Sequence, residues 1–216
     1  MGSDSAFRDD DPRSPEFRVD ALRSARQCLG EIESGSRVIG LTKGQFSLLD
    51  LIRAVLETTG PAHLIVSTWS TGIRDAENAA WLLESGRLLS VRMITDRSFP
   101  TRQPKYAARL VRLFGPDAIH CTRVHAKIAL IRNEKWNVAI RSSMNLNRNP
   151  RFEQFDLDES AEICDFFEAW VRELEELHPP GVRFDGAEAE AAFQAAMGGT
   201  VEEHQPADRW SQLAAF

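Results

Sequence analysis

Segments with strand-like and helix-like patterns alternate along the middle of this chain, and they exclude an all-helical or all-β domain. Short runs rich in β-branched residues, such as 37–41 and 62–69, precede longer segments whose apolar residues recur every three or four positions, such as 46–58. Strands are predicted over 37–41, 62–69, 88–96, 118–132 and 136–143, and helices over 18–33, 46–58, 74–86, 102–114 and 159–177. This order predicts an α/β fold, a layered domain with a mixed, mostly parallel β-sheet flanked by helices, in which residues 133–135 turn the last two strands into a hairpin.

The composition divides the chain into three parts. Residues 1–35 are predicted to form an acidic leader and a short helix, partly disordered, because three consecutive aspartates lie near two prolines. Residues 36–178 contain the predicted domain. Residues 179–216 are predicted to form an acidic C-terminal tail of low order, because they are rich in Ala, Glu and Gly and lack a clear apolar pattern.

Several absences in the sequence limit the class of protein. No apolar run is long enough to span a membrane, and the polar, acidic N-terminus does not have the pattern of a secretory signal. The cysteines are scattered and lack C-x-x-C spacing, which is typical of a reducing compartment; they are Cys28, Cys121 and Cys164. We therefore expect a cytoplasmic protein without stable membrane association. No metal site is expected, since no group of His, Cys, Asp and Glu has the spacing of metal ligands.

Charge is distributed unevenly around a net value of −6. Residues 36–155 contain 18 Lys and Arg against 9 Asp and Glu, whereas residues 156–216 contain 3 against 15. A basic middle beside an acidic end indicates a phosphate-bearing partner. Arginines on solvated helix faces would produce the same distribution.

Four polar side chains of different chemistry are predicted to converge at the hairpin. His125 and Lys127 lie two positions apart on a predicted strand, so both side chains should lie on one face. Ser143 and Asn145 follow the returning strand, and an antiparallel hairpin should bring them back toward the first pair. An imidazole, an ammonium, a hydroxyl and an amide together suit the binding and transfer of a phosphoryl group.

These residues carry a resemblance to a known family. His-Ala-Lys at 125–127, Ser-Met-Asn at 143–145 and the downstream Glu153 resemble the H-x-K, S-x-N and Glu signature of the phospholipase D superfamily. The resemblance covers mainly residues 118–155, and the elements predicted over 36–177 suit the family fold. Members include phosphatidyl-transferring enzymes, nucleases and tyrosyl-DNA phosphodiesterases, which share a covalent phosphohistidine mechanism that needs no metal or other cofactor.

The resemblance implies a role for each matching residue. His125 would be the nucleophile, and Lys127 and Asn145 would hold the non-bridging phosphate oxygens. Ser143 would donate a supporting hydrogen bond, and Glu153 would orient an imidazole through its far nitrogen. Such enzymes use two histidines, and members with a single H-x-K motif form two-fold homodimers. We therefore expect a homodimer with the active site on its axis.

Three departures from the family pattern mark a divergent member. Arg132 stands where the family often has Asp, and Ser142 stands where it usually has Gly. The hairpin between His125 and Ser143 is also longer than in the simplest members. These departures remove no catalytic group, but they leave open whether catalysis is retained.

Two main functional hypotheses remain, beside a third in which the protein is a dimeric scaffold with an incidental basic patch. The first is a metal-independent phosphodiesterase, a hydrolase acting as a nuclease, with nucleic acid preferred over a phospholipid because the motif region is basic. The alternative is a catalytically inactive phospholipase D-like module that binds nucleic acid or a protein partner. Four basic residues at helical spacing are candidates for DNA binding along the phosphate backbone, although a solvated helix face has the same pattern; they are Arg102, Lys105, Arg109 and Arg112.

Overall fold

The hydrophobic patterns of the sequence resolve into nine strands and seven α-helices in a computed structural model, which describes residues 6–7, 16–19, 25–147 and 151–198. The strands are β1 (Ala6–Phe7), β2 (Glu16–Val19), β3 (Arg37–Thr42), β4 (Ala62–Thr68), β5 (Leu88–Asp96), β6 (Ile119–Thr122), β7 (Lys127–Arg132), β8 (Asn137–Ser142) and β9 (Glu153–Glu159). The helices are α1 (Ala25–Leu29), α2 (Leu48–Thr59), α3 (Ile73–Glu84), α4 (Ser98–Arg102), α5 (Pro104–Phe114), α6 (Ala161–Leu177) and α7 (Ala187–Gly198).

The strands form one mixed sheet in the order β1-β2-β3-β9-β8-β7-β4-β5-β6. Its mixed character confirms the predicted fold class. The sequence also led us to expect mostly parallel pairing, but only β2–β3, β4–β5 and β5–β6 are parallel among the described strand pairs. The balance is antiparallel because β7, β8 and β9 run as a meander inserted between β3 and β4.

Helices cover both faces of the sheet, and the alternation of side chains along β4 shows how. Leu64 and Val66 belong to the larger buried cluster, which also contains residues of α2, α3 and α5. Ile65 points to the other face, into a smaller cluster with Cys164 and Val171 of α6. The period-2 pattern of a buried strand therefore produces the predicted layered arrangement, a sheet flanked by helices.

Sequence signals at helix ends explain the bounds of one helix on each face of the sheet. At the start of α2, Ser47 and Asp50 form a reciprocal capping box, and Gly60 ends the helix with a φ of 71°. The side chain of Ser160 accepts a hydrogen bond from the Ile163 N–H at the start of α6. Among the described residues, no helix is both long and apolar enough to cross a bilayer.

The chain ends differ from the sequence-based expectation. Where one helix was predicted over 18–33, residues 16–19 form β2, which pairs with β3, and residues 25–29 are the helical part of what the structure describes there. The remainder of the predicted leader (residues 1–5, 8–15 and 20–24) lies outside the described residues.

Helix α7 lies within the segment for which low order was predicted. Its Phe193 is buried, and the Phe193 ring lies 4.9 Å from that of Phe184. Partly buried Ala196 and Met197 also pack against the main core. Phe193 and Met197 are the only large apolar side chains of this Ala- and Glu-rich helix, so the sequence offered little apolar pattern to reveal it.

Candidate active site

Three strand ends meet at one edge of the sheet and bring the motif residues together. Lys127, the first residue of β7, pairs with Ser142, the last residue of β8, and Ser142 pairs with Phe155 of β9. This antiparallel register is the predicted hairpin. His125 itself lies outside β7, because the predicted strand 118–132 is broken over residues 123–126.

Lys127 is buried against His125. Its side chain is only 8% exposed, and Nζ donates a hydrogen bond to the His125 carbonyl oxygen at 2.7 Å. The same nitrogen lies 3.0 Å from Nδ1 and 3.2 Å from Nε2 of the His125 ring. Burial lowers the pKa of Lys127 below its ordinary value, although the charge of Glu153 opposes this shift. The ammonium and imidazole are therefore side by side in a weakly solvated position.

Ser143 and Glu153 form a second contact at the same strand ends. The Ser143 hydroxyl donates a hydrogen bond to the Glu153 carboxylate and accepts one from the Gln154 N–H at 3.0 Å. Glu153 thus orients Ser143 in this chain, whereas the family resemblance implied a contact with an imidazole. The negative charge of Glu153 also raises the pKa of Lys127, so Glu153 interacts with both the S-x-N and the H-x-K residues.

Ser142, which stands in place of the usual glycine, has a structural use. Its hydroxyl donates a hydrogen bond to the Gln154 carbonyl oxygen at 2.7 Å and accepts one from the Met144 N–H at 2.9 Å. These contacts fix the chain as it leaves β8 for the Ser143 and Asn145 positions. The departure from the family pattern therefore leaves the strand exit intact.

Asn145 is held at the end of β4. Its side-chain Oδ1 accepts a hydrogen bond from the Trp69 N–H at 3.2 Å and lies 3.4 Å from the Thr68 hydroxyl. With the oxygen used in this way, the amide NH2 is the donor that Asn145 can offer to a ligand. The segment is anchored further on by the Gly72 N–H, which donates to the Leu146 carbonyl oxygen at 2.8 Å.

An aromatic and a cationic side chain border the motif residues. The Trp69 ring centroid lies 5.9 Å from that of His125, and the Arg102 guanidinium lies 4.0 Å from the Trp69 centroid. Arg102 Nε donates a hydrogen bond to Ser98 Oγ at 3.1 Å. Of the four basic residues proposed to bind DNA, Arg102 is therefore the one that contacts a neighbour of His125.

Asp96 connects Arg102, through Ser98, to the segment that carries His125. Sequence reasoning gave Asp96 no role. Its carboxylate accepts hydrogen bonds from the Ser98 N–H at 2.9 Å and the Val124 N–H at 3.3 Å. Burial raises the pKa of the Asp96 carboxyl, but the hydrogen bond from the Ser98 hydroxyl, the two N–H bonds and the charge of Arg102 outweigh burial and hold the pKa below its ordinary value. Asp96 ends β5, beside the end of the parallel strand β4, and the carboxyl ends of parallel strands commonly carry site residues. This position was the sequence signal that could have identified Asp96.

The other three basic residues proposed to bind DNA lie on α5 and have different surroundings. Lys105 is exposed on α5. Arg109 forms an ion pair with Glu77 at 2.9 Å, and Arg112 donates a hydrogen bond to the Ala196 carbonyl oxygen of α7. These last two guanidinium groups hold α5 against its neighbours, and the structure does not bring them to His125.

A cavity of about 760 Å³ lies at the opposite end of β4 and β7 from the motif residues. His63 and Arg132 pair there, four residues along the strands from the Ser67 and Ile128 pair near the motif. Glu168 contacts Arg132 at 2.6 Å and Arg92 at 3.4 Å, so both guanidinium groups of this cavity face an acidic partner. Its chemistry does not compete with the motif cluster as a site for phosphate.

Comparison with known proteins finds similarity in structure but none in sequence. Neither a known protein family nor a curated protein matches the sequence. Among solved structures, the phospholipase D family member Nuc from Salmonella typhimurium matches with a TM-score of 0.51 and 9% identity, over 69% of this chain and 100% of that one. NucT from Helicobacter pylori matches with a TM-score of 0.50 and 14% identity, over 68% of this chain and 99% of that one.

The region of structural similarity accounts for about two thirds of the chain and for essentially the whole of each comparison protein. The identity is low, so the likeness is one of architecture. The chain has the phospholipase D-like fold, with little sequence identity to either Nuc or NucT.

Proposed function

We propose that the protein is a metal-independent phosphodiesterase that cleaves nucleic acid through a phosphohistidine on His125, at a site shared by two copies of the chain. The observation that carries this proposal is the contact of the Lys127 ammonium with His125, in the field of Glu153. A nucleophile beside a buried cation is what attack on a phosphate anion needs, since the cation offsets the charge that the nucleophile must approach.

The reaction follows from these groups in two balanced steps. A ring nitrogen of His125 attacks phosphorus, the bond from phosphorus to the leaving oxygen breaks, and a second imidazolium gives its proton to that oxygen. Water then attacks the phosphohistidine, the phosphorus–nitrogen bond breaks, and the second imidazole takes the proton from water. Lys127 and the Asn145 amide would contact the non-bridging oxygens in both steps.

The source of the second imidazole supports a shared site. Among the described residues, His63 lies at the far end of β4, and His120 is buried with Nδ1 3.2 Å from the His178 carbonyl oxygen. Neither of these rings, nor His178 at the end of α6, lies near His125. A second copy of the chain would supply the missing group through a two-fold axis.

An exposed apolar surface beside the motif supports the same arrangement. Phe152, next to Glu153, is 74% exposed, and Leu41, which pairs with Gln154, is 43% exposed. Large apolar side chains left in water next to polar catalytic groups are typical of interaction surfaces. Burying them in a homodimer would also place the two sets of motif residues close together.

The charge around the motif favours nucleic acid as substrate. Residues 36–155, which contain the motif, carry twice as many basic as acidic residues, 18 against 9. Arg102 is exposed beside Trp69, and Lys105 follows it on the surface. Cations near the reacting phosphate would bind neighbouring phosphates of a polynucleotide, with an affinity that falls as salt rises.

Hydrolysis in excess EDTA tests the proposal. We expect the wild-type protein to cleave labelled single-stranded or double-stranded DNA, or bis(p-nitrophenyl) phosphate, without added metal. Acid-labile, base-stable label should be trapped on the peptide that contains His125. Binding of DNA without turnover on any of the three substrates would contradict the proposal and support the inactive binding module instead.

A pH profile tests the role of the buried lysine. The ammonium is the active form and is lost as pH rises through the Lys127 pKa, so kcat/KM should fall on the alkaline side below the ordinary lysine value of 10.5. Because the Glu153 charge raises this pKa, Glu153→Gln should move the alkaline limb to lower pH. The measurement is kcat/KM against pH for both proteins.

Glu134→Gln is the matched control for this profile. Glu134 is exposed in the turn between β7 and β8, at the far end of the hairpin from Lys127. Its removal should leave the alkaline limb unchanged. A limb that moves equally in both variants, or in neither, would contradict a specific effect of Glu153 on Lys127.

A further inference from the structure

We propose that Trp69 is a stacking platform for an unpaired nucleobase beside the scissile phosphate, and that Arg102 covers this platform until the substrate binds. The substrate would then be single-stranded nucleic acid, or a duplex opened at the cleavage point. This inference rests on the proposed phosphate site at His125, since it concerns the surface next to it. It assigns a substrate-binding role to a side chain outside the H-x-K and S-x-N motifs.

The first support is the fixed position of the Trp69 ring. The Trp69 N–H donates a hydrogen bond to Asn145 Oδ1 at 3.2 Å, and the ring lies 5.9 Å from His125 between centroids. The Trp69 backbone N–H is thus hydrogen-bonded to Asn145, and the Trp69 ring lies beside the His125 ring. A base on this ring would therefore lie beside a phosphate held by His125 and Lys127, within the span of one nucleotide.

The second support is that the ring is accessible through a side chain that is easily displaced. Trp69 is half-buried, and exposed Arg102 lies on its face with the guanidinium 4.0 Å from the centroid. An exposed cation–π contact is weak, whereas stacking of a base on an aromatic side chain is stronger. A base can therefore replace the guanidinium, which gains a charge-assisted contact with the arriving phosphate in exchange.

The third support is the tether that keeps Arg102 at the site. Arg102 Nε donates to Ser98 Oγ at 3.1 Å, and the Ser98 side chain donates to the Asp96 carboxylate. The same carboxylate accepts from the Val124 N–H, one residue before His125. Through Asp96, the cation that covers the platform and the segment that carries the nucleophile share one anchor.

Stacking excludes an intact duplex from this position. In a duplex, both faces of each base are covered by neighbouring bases, so a base reaches an aromatic platform only when it is unpaired. The Trp69 surface should therefore contribute to the binding of a single strand and not to that of a duplex. It should also contribute nothing to a strand that lacks its bases.

The test measures binding in a variant that cannot cleave. In a His125→Asn background, we compare the affinities of a fluorescent oligothymidylate, an abasic strand of equal length and a duplex, at one salt concentration. We expect Trp69→Leu to weaken oligothymidylate binding by about 5- to 150-fold, the equivalent of about 1–3 kcal/mol, and to leave abasic and duplex binding unchanged. Trp69→Phe, which keeps an aromatic face, should retain part of the preference.

Trp81→Leu is the control, because Trp81 is 37% exposed on α3 outside the site. It should not change any of the three affinities. Equal binding of the base-containing and abasic strands before mutation would overturn the inference. So would an equal loss of affinity for all three ligands in Trp69→Leu, since this would mean that the ring only supports the site. If the wild-type protein shows no turnover, the proposed phosphodiesterase function is wrong. The binding measurements would still decide whether Trp69 stacks on a base.

Discussion

His125→Ala should reduce turnover by about 10⁴-fold or more. In a shared site, this single change removes both the nucleophile and the imidazole that protonates the leaving group. The Lys127 ammonium would remain, with its contact to the backbone carbonyl at position 125. Binding of DNA should therefore persist while turnover is lost, which separates a chemical role from a structural one.

The control for this loss is His63→Ala. His63 is exposed at the opposite end of β4, where its Nδ1 lies 2.8 Å from Ser90 Oγ. Its removal should leave turnover unchanged. Residual activity of His125→Ala close to that of His63→Ala would contradict the assignment of the nucleophile.

Mixed dimers extend the same experiment to the shared site. When equal amounts of wild-type and His125→Ala chains are refolded together, about a quarter of the dimers contain two wild-type subunits. If a complete site needs a histidine from each subunit, activity should be about a quarter of that of the same total amount of wild-type protein. A value near one half would mean that each subunit carries a complete site.

The hairpin and its motif could be predicted from the sequence because they depend on local patterns. Period-2 apolar residues on both sides of 133–135 predicted two strands, and the observed pairing of Lys127 with Ser142 gives the register that this turn implies. The positions of Ser143 and Asn145 follow from that register. Spacing along the chain was therefore sufficient to bring the two halves of the signature together.

The sequence analysis did not predict strand β9, because Asp, Glu and Gln, which are uncommon in strands, occupy five of its seven positions. Phe155 and Leu157 are fully buried, but the alternating residues are Gln or acidic. Asp158 is 4% exposed and is paired with Arg37 at 2.8 Å and with Arg141. The arginines of β3 and β8 permit an acidic residue in the middle of a sheet, and sequence reasoning along one segment does not show those partners.

The break that releases His125 from the strand also depends on distant residues. Residues 118–132 have a uniform strand-like pattern, yet 123–126 form no ladder pairs. In that segment the Val124 N–H donates to Asp96, and the Ala126 carbonyl oxygen accepts from Ser67 Oγ at 2.9 Å. Side chains from β5 and β4 replace the sheet hydrogen bonds, so the break follows from tertiary contacts rather than local propensity.

Gly40→Ala should destabilise the protein by about 1–3 kcal/mol or more, the usual cost of overpacking a core. A Cβ atom at position 40 would lie 2.3 Å from Cε1 and Cζ of the Phe155 ring, where real contacts stay beyond 3.0 Å. Gly40 pairs with Phe155 across β3 and β9, so the ring lies over the glycine. The ring is fully buried and meets Phe46 edge-on at 5.9 Å, which leaves it little room to move. Urea and thermal unfolding followed by circular dichroism measure the loss, at about 2–4 °C in Tm per kcal/mol.

Two further variants identify the Phe155 ring as the cause. Gly198→Ala is the control, because a Cβ atom there meets nothing within 4 Å, and its effect should stay within about 0.5 kcal/mol. Phe155→Leu removes the atoms that clash, so the double variant should be more stable than the sum of the single effects predicts, by about 0.5–3 kcal/mol. Strict additivity would show that the cost lies in the backbone of β3 instead. Phe155 lies two residues after Glu153 and pairs with Ser142, next to Ser143. A displaced Phe155 ring in folded Gly40→Ala should therefore lower turnover as well as stability.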